Sequence, residues 1–235
     1  MKSSFPGFPP EALRFLRQLK RHNNRAWFLE HKETYEQHVK TPMIGLVAAL
    51  GRELLSHAPE MTVEPSRAIY RIYRDIRFSP DKRLYKTHTA AIFAPRGVPK
   101  HSGAGLYFHI SPEEVLIAGG VYMPGSNELL AIRSHIAGRH KQLRAILAEK
   151  AFRKLFGELE GERLTRPPKG FRNDHPAIDL LRYRQFLVSA TYPPELAESR
   201  ELFSEINRHF QAMLPLVRFL NLPLKPDSLV QPRLP

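Results

Sequence analysis

Leu106-Tyr107-Phe108-His109-Ile110-Ser111-Pro112-Glu113-Glu114-Val115-Leu116-Ile117-Ala118-Gly119-Gly120-Val121-Tyr122 is the stretch that decides the fold. Leu106, Phe108 and Ile110 alternate with Tyr107 and His109, the period of a half-buried strand. Ser111-Pro112-Glu113 then turns the chain into a second apolar run, Val115 to Tyr122. Two strands joined by so short a turn lie antiparallel. Upstream, Thr87 to Ala94 reads as another strand. Ile69, Tyr70, Ile72 and Tyr73 also favour a strand on their β-branched and aromatic content, although Ile69, Ile72, Tyr73 and Ile76 share one helical face. An antiparallel sheet of about four strands is expected between residues 67 and 123.

Helical patterns flank this block. Pro9-Pro10-Glu11 opens a first helix with Leu13, Leu16 and Leu19 as its apolar face, ended by Asn23-Asn24. Asn24 caps a second helix in which Trp27, Phe28, His31 and Tyr35 recur at helical spacing. Pro42 breaks or kinks it, and Leu46, Leu50 and Leu54 continue an apolar stripe towards Ala58-Pro59. After the loop Met123-Pro124-Gly125-Ser126, whose serine is placed to cap, a helix sets Leu129, Ile132, Ile136, Leu143 and Leu147 inward, with Arg133, Arg144 and Lys150 outward. Thr165 to Pro176 is a loop, and short helices are expected over Ala177 to Phe186 and Pro194 to Leu220. Helices over 9–58, strands over 67–123 and helices over 126–221 make an α+β fold, expected as a single domain over 1–235.

Composition narrows the function. The 235 residues suffice to bury roughly 70% or more of the unfolded surface without a staple. With no cysteine, disulfides, thiolate nucleophiles and cysteine-held zinc are ruled out. The start MKSSFPGFPPEALRFL lacks the continuous apolar core of a secretory signal. Apolar runs such as Met43 to Leu50 fall short of the ~20 residues of a membrane span, so a cytoplasmic protein with no membrane partner is expected. The 36 Lys and Arg exceed the 23 Asp and Glu by a net +13. Much of the excess lies in residues 67–100 and 128–154, a field that suits phosphates, nucleic acid or acidic surfaces as partners.

Several chemistries lack their residues. There is no phosphate-cradling G-x-x-x-x-G-K-[ST] loop, no G-x-G-x-x-G turn and no G-x-S-x-G elbow. His135 and His140 are five apart, off a shared helix face, and no H-E-x-x-H occurs. Neither a metal nor a cofactor is expected, and no nucleophile stands out.

The densest chemistry is Arg71-Ile-Tyr-Arg74-Asp75-Ile-Arg77-Phe-Ser79-Pro80-Asp81-Lys82-Arg83-Leu-Tyr85-Lys86-Thr87-His88. Arg71, Arg74, Arg77, Lys82 and Lys86 flank a Ser-Pro-Asp turn that brings cations from both sides together. Arginine forks grip carboxylates or phosphates bidentately. Asp75 and Asp81 can equally pair with these arginines in an internal network, and Tyr85 can serve as a core ring. Trp27, with Asn24 and Arg25 beside it, reads either as a core anchor or as a stacking platform for a base.

The string Tyr73 to Thr87 resembles the hallmark of the domain-of-unknown-function family 2461, Tyr-Arg-Asp-x-Arg-Phe-Ser-x-Asp-Lys-x-Pro-Tyr-Lys-Thr, with Leu84 standing where proline is usual. Asn23-Asn24-Arg25 with Trp27-Phe28, Lys32 and Tyr35 is similar to the family's opening motif. Tyr107-Phe108, Gly120 and Tyr122-Met123-Pro124 are similar to its central strands. Lys169-Gly170-Phe171 and Asp174-His175-Pro176, followed by Leu181 and Arg184, are similar to its late motif. The resemblance implies a fold and no activity. Lys169, Asp174 and His175 are candidates to join the cationic cluster, with the Asp-His pair as a general base or Asp174 as a helix cap. Three uses of the cluster stay open. It serves as a site for an anionic small molecule (turned over or only bound), as a nucleic-acid surface together with the basic helix after Ser126, or as a structural network in an interaction protein.

Overall fold

The structure, a computed structural model, describes residues 5–61, 64–77, 79–96 and 103–224. Its sheet has four antiparallel strands in sequential order, β1 Thr89–Phe93, β2 Gly105–Ile110, β3 Val115–Val121 and β4 Phe186–Tyr192. The β2–β3 hairpin is the one its alternation dictates. Leu106, Phe108 and Ile110 are buried, as are Val115, Ile117 and Val121. The Ser111 hydroxyl receives the Glu113 and Glu114 amides at 3.2 and 3.0 Å, fixing the turn.

Two memberships of the sheet differ from expectation. Ile69 to Tyr73 pairs antiparallel with 84–91 only through isolated bridges, Ile69 with Ala91 and Tyr73 with Tyr85, because the backbone bends at Ile72 and interrupts the ladder. The fourth strand comes instead from Phe186–Tyr192, where a helix was expected up to Phe186. There the helix is a single turn, Ile178–Leu181. The sequence FLVSATY buries Phe186 and Val188 on one face, and its β-branched and aromatic residues suit a pleated surface.

The chain divides into two compact units. The first holds residues 1–93, 107–117 and 191–208. Its helices are α1 Pro10–Arg21, α2 Arg25–Glu30, α3 Lys32–Thr34, α4 Thr41–His57 and α5 Pro65–Ala68, with a π-helical stretch Tyr35–Lys40 leading into α4. Pro10 lies in the first turn of α1, where its missing N–H costs nothing, and Ala12, Leu13, Phe15, Leu16 and Leu19 are buried. This helix stops at Arg21, just short of the asparagines. Asn24 then caps α2 by accepting the Trp27 amide at 3.0 Å. Pro42 begins α4 rather than breaking a helix, and Met43, Leu46, Val47, Leu50 and Leu54 form its buried face.

The second unit holds 94–106, 118–190 and 209–235. It contains α6 Ser126–Ala148, α7 Lys150–Phe156 and α8 Ile178–Leu181, while α9 Leu202–Asn221 has residues in both units. Ser126 is the first residue of α6, and Gly125 occupies the cap position without a side-chain bond. Arg133, expected to face outward, is buried, and its guanidinium donates to the Tyr183 carbonyl at 2.9 Å. At Gly120 φ is +121°, and a Cβ there would lie 1.9 Å from the Phe186 carbonyl oxygen, so glycine is required where β3 meets β4. The buried Asn221 amide binds both the N–H and C=O of Ala104 at 2.8 Å. Among the described residues no helix is long and apolar enough to cross a membrane.

Candidate functional site

The first unit anchors the cationic segment by an asparagine amide. Asn23 accepts the Tyr85 N–H at 2.9 Å and donates to the Tyr85 carbonyl at 3.0 Å, closing a strand-like pair across 62 residues. The Tyr85 ring stacks on buried Phe28 at 4.2 Å, which makes it a core ring of the aromatic cluster with Phe15, Tyr35 and Tyr73. Burial pushes its hydroxyl's pKa up. With Tyr85 fixed, Arg74 N–H to Leu84 C=O and Lys86 N–H to Ile72 C=O hold the two sides of the segment together at 2.9 and 2.8 Å.

Between those sides is a cleft of about 450 Å³ lined by Arg74, Asp75, Asp81, Arg83, Tyr85, Lys86, Thr87 and His88, all residues of the first unit. Asp81 is its most committed group. Its carboxylate pairs with Arg74 and with Arg83, the latter through Nε at 2.9 Å and Nη2 at 2.6 Å. Arg83 first and then Arg74 hold the Asp81 carboxyl far below the ordinary range. Asp75 receives Arg77 bidentately at 3.0 and 2.7 Å, and that hydrogen bonding holds it at about 2. Lys86 donates to the Arg71 carbonyl at 3.0 Å and lies 5.0 Å over the Tyr70 ring.

The expected convergence is therefore partial. Arg74, Asp75, Asp81, Tyr85 and Lys86 line one cleft. Arg71, Arg77 and Lys82 do not. Arg77 is spent on Asp75 at the surface, and Lys82 donates to the Ile76 carbonyl at 3.2 Å. Lys169, Asp174 and His175 belong to the second unit. Asp174 is exposed and pairs with Arg172 at 2.7 Å, so it caps no helix. The cap position of α8 is Ala177. His175 Nδ1 accepts the Ala177 amide at 3.1 Å. Trp27 is half-buried, stacked 4.1 Å from His31, and lines a smaller groove of about 190 Å³ with Glu11, Arg14, Phe15, Gln18, His31 and Thr34. Asn24 is spent on its cap, and Arg25 is exposed.

Arg83, Thr87 and His88 also line the cleft, although none of them is among the candidates read from the sequence. His88 is half-buried, and burial, with His109, Lys86 and Arg74 adding to it, depresses its pKa to about 4. Its ring is 5.2 Å from that of His109. The His109 imidazole is held on both sides, Nδ1 to the Tyr107 hydroxyl at 3.2 Å and Nε2 to Glu114 at 3.3 Å. The outward positions of β2 thus form a polar file next to the cleft.

A family model described as conserved hypothetical protein (DUF2461) matches residues 11–219. The chain belongs to this family. No curated protein and no solved structure matches it. The string that carries the family resemblance supplies Arg74, Asp75, Asp81, Tyr85, Lys86 and Thr87, most of the cleft's lining.

Proposed function

We propose that the first unit binds a small, multiply charged anion, such as a phosphorylated metabolite or a nucleotide, in the cleft between Arg74 and His88. The observation that carries this reading is the meeting of Arg74, Arg83 and Lys86 in one cavity of about 450 Å³, a size that suits a metabolite. A guanidinium has five N–H donors. Asp81 engages one nitrogen of Arg74 and two of Arg83, so both forks keep donors for a second acceptor.

A thermal-shift screen at low and high salt tests it, with phosphate, diphosphate, mononucleotides, sugar phosphates and short RNA and DNA. At ~100-fold excess over Kd a specific ligand raises Tm by roughly 5 °C or more. That gain persists at high salt and shrinks in Arg83→Ala. Stabilisation by oligonucleotides alone, lost with salt, transfers the role to a nucleic-acid surface.

A second reading has its own observation. Asp75 with Arg77 and Asp81 with Arg74 and Arg83 form a closed set of ion pairs that tie residues 74–83 together. As a structural network this would shape an interaction surface. Its mark is a lower Tm in Asp81→Asn with no small anion stabilising the wild type.

A further inference from the structure

Arg74, Arg83 and Lys86 make the cleft cationic, since the Asp75 carboxylate is neutralised by Arg77 from outside the lining and Asp81 is shared between Arg74 and Arg83. His88 is the one further group of the lining able to gain a positive charge. Its ring nitrogens make no hydrogen bond among the described residues, and its ring packs against that of His109. A half-buried imidazole without a hydrogen-bond partner, set beside three cations and a cavity, is poised for a ligand atom.

We propose, building on the anion-site reading above, that His88 is the cleft's ligand-contacting histidine, that it donates a hydrogen bond to the oxyanion as an imidazolium, and that the cleft takes up one proton when it binds a dianion. In the empty cleft the imidazolium is disfavoured. Burial is the largest cause, and His109 on β2, Lys86 and Arg74 add repulsion. Asp75 and Asp81 on the same lining are already committed to arginines, and Glu114 is committed to His109. An anion within hydrogen-bond reach reverses the balance, because an opposite charge at ~4–6 Å favours the protonated ring. Protonation adds one positive charge and one N–H donor to the lining beside Arg74, Arg83 and Lys86, which favours a dianion such as a phosphomonoester. The proton comes from solvent and returns there on release; no covalent bond changes.

Sulfate is the probe, since it stays a dianion while histidine titrates. Calorimetric titration of the full chain between about pH 5 and pH 8, in buffers of different ionisation enthalpy, reads affinity and proton uptake together. Affinity should rise by up to about tenfold per pH unit as pH falls, with uptake approaching one proton. His88→Gln should bind with a flat profile and no uptake. Ring NMR of the wild type, which requires no variant, should show the His88 pKa rising on addition of sulfate. Binding whose pH profile is unchanged in His88→Gln, or a His88 ring that sulfate leaves untouched, overturns this proposal while the anion site stands. Absence of sulfate binding at every pH overturns both.

Discussion

His88 and Asp75 stand on the same cleft with opposite electrostatic surroundings, and acid separates them. Arg77 holds the Asp75 carboxyl at about 2, so its pair persists through mild acid. His88 is held at about 4, below its ordinary 6.5, so the unfolded chain binds the proton first as pH falls. The stability this represents is present above about pH 6.5 and is lost progressively down to about pH 4, on the order of 3 kcal/mol. Urea unfolding at several pH values should show that loss in the wild type and a flatter profile in His88→Gln. Some slope remains in the variant, because burial also depresses His109 and His135. An identical slope in wild type and variant would remove His88 from this role. The arginines and the turn of this site are legible in the sequence, but His88 is not. A lone histidine at the end of a basic string gives no sign of its burial, and that burial comes from pairing with segments far along the chain.

At the scale of elements, the cleft depends on a tether from the turn between α1 and α2. Asn23 holds both backbone groups of Tyr85, so it sets the register of the whole 84–91 side. Asn23→Ala leaves two part-buried backbone groups without a partner, a loss of about 2 kcal/mol in chemical denaturation. Asn24→Ala, its neighbour, removes only a cap and should cost about 1 kcal/mol. Equal losses would mean that Asn23 is no more than a loop residue. Both asparagines stand out in the sequence as helix punctuation, yet only one acts that way, since a long-range amide pair leaves no periodic trace. The β2–β3 hairpin is readable because its alternation and turn are local. β4 is harder. Phe186–Tyr192 is seven residues between a helical turn and Pro193, and Ile69 to Tyr73 has stronger strand-forming residues yet bends at Ile72. Propensity locates extended chain there, and the partners available decide which segment enters the ladder.

For the whole molecule, a net charge of +13 attracts any polyanion, so retention on nucleic acid at low salt carries little information. What distinguishes a site from a field is resistance to screening. Surface charges are largely masked beyond ~10 Å at 0.1 M salt, whereas a cleft ligand in direct contact with Arg74, Arg83 and Lys86 is masked far less. The α+β class, the family and the segment that holds the cleft are all legible from the chain. Which of the cations meet is not, because Arg77 and Lys82 find partners within a few residues of themselves, and nothing in spacing alone announces that. The most direct measurement is calorimetric titration of diphosphate into the wild type and Lys86→Gln at one fixed ionic strength near physiological. A single saturable site in the wild type, weakened about tenfold or more in a variant that remains folded at the temperature of the titration, is the expected result for loss of a charge-assisted contact. No saturable binding to the wild type, or equal affinity in the two proteins, would contradict an anion site in the cleft.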